Sequence, residues 1–142
     1  MKAILCALDF SEASENVIQE AFKLAAKNKT NLIVLFTYRL LQRKGESLAE
    51  YRKGVEAKAK TDFETLLANI KNRIEVPFEF ITEIGFLSDR IKFYIRRNKV
   101  EAVILCEKLA ESINEQQEQS LESFITSLKI PVVIIPEVHE VE

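Results

Sequence analysis

The feature that most constrains this chain is the alternation of short, unbroken apolar runs with segments of helical period. Runs at 3–8, 32–38, 102–106 and 131–135 read as strands buried on both faces, because a strand covered on one side only alternates. Between them, apolar residues recur at helical spacing. Val17, Ala21, Leu24 and Ala25 do so in a helix expected from about residue 11. A longer stripe runs Leu48, Tyr51, Val55, Ala59, Phe63, Leu66, Ile70, and a short helix at 87–98 carries Ile91, Tyr94 and Ile95 on one face. Strands that take turns with helices point to βαβ units and a parallel sheet. One strand, at 78–84 between Pro77 and Gly85, is different. Its Phe78, Phe80, Thr82 and Ile84 alternate with Glu79, Ile81 and Glu83, which predicts a half-exposed edge.

Helix starts are signalled too. Glu12 and Glu15 fall in the first turn of the first helix, where the helix dipole favours negative charge. Ser47 with Glu50, and Ser112 with Glu115, have the serine-to-glutamate spacing of a capping box. The second box is expected to open a helix with Ile113, Leu121, Phe124, Ile125 and Leu128 inward.

A chain of 142 residues is one domain, 1–142, and can bury a core without staples. Its net charge of −2 offers no global footprint for nucleic acid or an anionic membrane. The apolar run at 3–8 is ended by Asp9, too short for a leader, and no stretch reaches the roughly 18 apolar residues of a membrane span. A cytoplasmic protein with no nucleic-acid or membrane partner is expected. The charged tail at 139–142 is expected to fray.

Cys6 and Cys106 both lie in apolar runs, as expected of buried thiols in a reducing compartment. If neighbouring strands end level, the two sit on the order of 10 Å apart along the strands, beyond disulfide reach. The single histidine, His139, is in the tail, which removes a histidine triad or a histidine metal site elsewhere. There is no Walker loop and no dinucleotide glycine fingerprint.

Three segments together resemble the universal stress protein family. The opening Ile4-Leu5-Cys6-Ala7-Leu8-Asp9-Phe10-Ser11 is similar to the family's first strand, Asp and Ser. Gly85, Ile91 and then Val100-Glu101-Ala102-Val103-Ile104-Leu105 are similar to its Gly, short helix and fourth strand. Ile130-Pro131-Val132-Val133-Ile134-Ile135 is similar to its closing strand. The resemblance covers essentially the whole chain. It implies an α/β fold with a single open five-stranded parallel sheet in order 3-2-1-4-5 and helices on both faces, a Rossmann-like arrangement of the adenine nucleotide alpha hydrolase type. Nucleotide-binding members carry Gly-x2-Gly-x9-Gly-Ser/Thr between strand four and the last helix, where bare N–H groups cradle phosphates. This chain has no glycine after Gly85, and the corresponding stretch is rich in Glu107, Glu111, Glu115, Glu118 and Glu122 against Lys108.

Asp9 closes the first strand, at the edge where open α/β sheets bind ligands. The resemblance puts it beside a nucleoside; the strong capping preference of Asp favours the other reading, that its side chain caps the next turn. Thr37 and Arg39 complete a candidate crevice set at the end of the second strand. Arg39, Arg43, Lys44, Arg52 and Lys53 read as an anion-binding surface or as a solvated face. Val132, Val133, Ile134 and Ile135 form an apolar edge strand without gatekeeper charges, the candidate interface of a homodimer. The functional expectation is a non-enzymatic stress-response or regulatory module. It holds no cofactor and acts through dimerisation and association with a further protein. Two alternatives stay open: an ATP- or AMP-binding protein or weak ATPase with a divergent phosphate loop, and a small-molecule sensor using the strand-end crevice.

Overall fold

A computed structural model describes residues 2–41, 45–70, 75–98, 100–116 and 120–137. The elements follow in the order β1 (Ala3–Ala7), α1 (Ser14–Lys27), β2 (Asn31–Tyr38), α2 (Leu48–Ala68), β3 (Phe78–Ile84), α3 (Leu87–Asn98), β4 (Val100–Cys106), α4 (Glu107–Gln116), α5 (Leu121–Leu128) and β5 (Val132–Ile135). All five strands run parallel in one sheet, ordered β3-β2-β1-β4-β5. That is the order the resemblance implied.

β1 sits at the centre and every residue of it is buried. Successive side chains of a strand point to opposite faces, so its residues divide between two cores. Ile4, Cys6 and Leu8 pack with Val17, Ile18, Ala21 and Phe22 of α1 and Phe63 of α2. Ala3, Leu5 and Ala7 pack on the other face with Ile91 of α3, Ile113 of α4 and Phe124 of α5. Apolar side chains on both faces are why β1 reads as an unbroken run.

The sequence signals differ in how well they survive. The Ser47 side chain accepts from the Glu50 N–H, as a capping box requires. Ser112 does not start a helix. α4 begins five residues earlier, directly after β4, and the Ser112 hydroxyl donates to the Leu109 carbonyl inside it. The inward stripe expected from one helix is divided between α4 and α5, with Ser120 capping α5. α1 begins at Ser14, not Ser11, because the turn at Asp9 to Ser11 is held in a non-helical form. α2 ends at Ala68, which leaves Ile70 outside it, and Leu48 is exposed.

Cys6 and Cys106 are free and buried. The strand ends are not level, however. Cys6 stands opposite Ile104, so Cys106 is two residues further along, about 7 Å at the usual strand rise. The separation along the strands is shorter than equal strand ends suggest. The expectation for the tail at 139–142 lies outside the described residues. Among the described residues, no helix is long and apolar enough to cross a membrane.

Candidate functional site

The carboxyl ends of β1, β2, β3 and β4 deliver Asp9, Arg39, Gly85 and Glu107 to one edge of the sheet. In open parallel sheets this edge is where ligands bind. What the side chains do there follows from their bonds.

Asp9 spends its carboxylate on its own chain. Oδ1 accepts from the Ser11 N–H at 2.9 Å and from the Ser14 hydroxyl at 3.3 Å. This closes the turn that leads into α1, the capping role open to Asp at such a position. The Cys106 thiol donates to Oδ2 at 3.7 Å. Burial pushes the Cys106 thiol above its ordinary pKa, which keeps its proton on sulfur for that contact. Between Asp9 and Ser11, Phe10 takes a left-handed backbone with φ 58°. A bulky residue is costly there. Its ring is anchored against Phe36 at 5.2 Å and Phe80 at 6.2 Å between centroids.

Across the edge, α4 presents its first N–H groups. The Leu109 N–H donates to Cys106 Sγ at 3.4 Å, and the Lys108 N–H donates to the Glu137 carboxylate at 3.0 Å. Glu137 comes from beyond β5, so the chain supplies its own carboxylate to this helix start, where the dipole favours negative charge.

Thr37 and Arg39 are held by other neighbours. Thr37 lies in β2 opposite Glu83 of β3 and is half-buried. The Arg39 guanidinium sits 4.6 Å from the centroid of the Phe86 ring, on the side of the sheet edge toward α3. Its carbonyl accepts from the Tyr51 hydroxyl at 3.0 Å. Asp9 is thus bonded toward β4, and Arg39 is stacked toward β3. Of the basic cluster, Arg52 pairs with Glu56 at 3.7 Å, while Arg43 and Lys44 lie outside the described residues. Glu118 of the acidic stripe lies outside them as well.

Two residues of this edge escaped the sequence reading. Cys106 and Glu137 meet groups 97 and 29 positions away, respectively. The strand order was a usable signal for the first, since it makes β1 and β4 neighbours and brings Asp9 near Cys106. No local pattern points to the second. Among the described residues, no group of three or more His, Cys, Asp or Glu is placed to hold a metal ion.

The fold is shared with solved structures. A universal stress protein family member from Burkholderia pseudomallei matches with a TM-score of 0.70 at 17% identity, over 95% of this chain and 96% of that one. The universal stress protein UspA from Lactobacillus plantarum matches with 0.69 at 18%, over 94% and 97%. The universal stress protein from Archaeoglobus fulgidus in complex with dAMP matches with 0.59 at 16%, over 95% and 98%. No curated protein matches the chain. The model of the universal stress protein family matches residues 1–136, nearly the full length, and the chain belongs to that family.

Proposed function

We propose that this chain is a universal stress protein that works in the cytoplasm as a homodimer, through association with other proteins and without a bound nucleotide. The observation that carries this reading is the start of α4. At the place where nucleotide-binding members are expected to offer bare N–H groups on a glycine loop, helix follows strand with no intervening loop. Its early N–H groups already meet Cys106 Sγ and the Glu137 carboxylate. A phosphate has to displace that carboxylate and tolerate the exposed Glu107 and Glu111 nearby, and like charges at such range repel. Nothing after Gly85 relieves the backbone, since no glycine follows it.

The dimer reading rests on the edge at β5. Val133 is exposed, Val132, Ile134 and Ile135 are half-buried, and the strand pairs with β4 on one side. Universal stress proteins often form homodimers.

A second reading has its own support. The Archaeoglobus fulgidus relative is in complex with dAMP, and Asp9 and Arg39 stand at the ligand edge of the same fold. Calorimetric titration with ATP separates the two. No saturable heat at low-micromolar ATP is expected. Saturable binding, weakened in Asp9→Ala and Arg39→Ala, would establish the nucleotide reading instead and would reopen the weak-ATPase alternative. Running the same titration by thermal shift across small metabolites tests the sensor alternative.

A further inference from the structure

α3 turns Leu87, Ile91 and Tyr94 into the core and carries four cations, Arg90, Lys92, Arg96 and Arg97, against one acid, Asp89. In a chain of net charge −2 this is a local reversal of sign. Three of the four lie near aromatic rings. The guanidinium of Arg90 is 5.5 Å from the Phe93 centroid and that of Arg97 is 5.8 Å from the same ring. Lys92 Nζ is 5.5 Å from the centroid of Phe124 on α5. Phe93 itself is 36% exposed, among the large apolar side chains that the fold leaves in solvent. Arg90 is held a second time, by Glu83 at 3.5 Å.

A flexible arginine on a plain solvated face loses side-chain entropy when it binds. Here the ring contacts have already restricted Arg90 and Arg97. Cation–π attraction uses the face of the guanidinium and leaves its N–H edge for carboxylates. Exposed aromatics with arginine are also the composition of protein-interface centres. We infer that the outer face of α3 is a docking surface for an acidic protein segment, with Phe93 as the apolar centre and the exposed Arg96 and Arg97 as the charge partners. Charge complementarity selects the sign of the partner. The length of the helix, about 18 Å, matches a segment of a few residues in extended form or three turns of helix. The inference deepens the association reading above and rests on it.

The test uses the full chain and a fluorescein-labelled twelve-residue peptide of alternating glutamate and leucine. Controls are the same peptide with lysine for glutamate, single-stranded DNA of equal charge, and phosphatidylserine-containing vesicles. Binding of the glutamate peptide is expected, weakened by salt and by at least about tenfold in the double variant Arg96→Glu, Arg97→Glu, the scale of losing close charge contacts. Phe93→Ala is expected to weaken it as well. Both variants change exposed groups, and circular dichroism checks that they fold. Amide chemical-shift changes should centre on α3. Shifts centred elsewhere, no binding, or DNA or vesicles bound in preference would each overturn the surface. The ATP titration is read separately, so loss of this surface and loss of the association reading are distinguishable.

Discussion

Tyr94 shows how one side chain ties packing to charge. Its ring is buried against β4 and its hydroxyl donates to Glu83 Oε1 at 2.5 Å. Burial first, and then the Glu83 hydrogen bond, push its phenol up to about 12. In the unfolded chain a tyrosine titrates near pH 10. As pH rises from about 10 to 12 the unfolded chain gives up this proton while the folded chain keeps it, so stability falls. The contribution is complete below the unfolded value and lost through the folded one. Tyr94→Phe should flatten that alkaline limb, measured by urea unfolding between pH 9 and 12. A limb as steep as the wild type's would assign the effect to other groups, such as Tyr38, which burial and Glu56 also raise. At this scale the sequence was partly legible. Asp9 could be recognised as a strand-end group at a ligand edge, and its capping alternative is the bonding the structure displays. The thiol contact to Asp9 was hidden, because it depends on where β4 stops relative to β1, and a bulge between Ala3 and Ile4 shifts that register.

Elements were legible where the punctuation is chemical. Pro77 and Gly85 bracket β3, whose bounds agree with the sequence reading residue for residue. Proline cannot donate within a ladder, and Gly85 takes φ 133°, a region closed to other residues. The α4–α5 region lacked such marks. Serine followed three residues later by glutamate is a start signal only if the preceding residues are not helical, and 107–111 already are. The helix ends show a further economy of glycine. α5 stops at Lys129 with φ 59°, and Lys29 after α1 takes φ 52°, where glycine is the usual occupant. A side chain in the left-handed region is strained. Lys129→Gly should therefore stabilise the protein by about 0.5–1 kcal/mol, read from the denaturant midpoint. A lower midpoint would mean that the lysine stem packs more usefully than its backbone strain costs.

For the whole molecule, the unbroken apolar runs marked the strands that are covered on both faces, while the strand order came from the family resemblance. The order leaves β3 and β5 as edges, and they differ in kind: β3 carries Glu79 and Glu83, β5 only apolar residues. If β5 pairs across a two-fold axis, Val133→Lys should yield monomers while the fold persists, and light scattering of the unaltered chain at tens of micromolar should give twice the mass of one chain. A wild-type monomer would refute the dimer. The two faces of the sheet are also unequally covered. α2 has 21 residues but buries only Ala59 and Phe63. Beside it runs an open groove of about 620 Å³, with Phe63, Phe78 and Phe80 on its floor and Glu56, Lys60 and Glu64 also in its lining. So thin an attachment makes α2 a separate cooperative unit, able to lift from the sheet while β1 stays closed. Its amides should exchange with deuterium orders of magnitude faster than those of β1, which open only with the whole domain. Each excursion bares the stacked pair Phe63 and Phe80, so the same motion sets how often a proteolytic enzyme or a chaperone meets this protein in an open form.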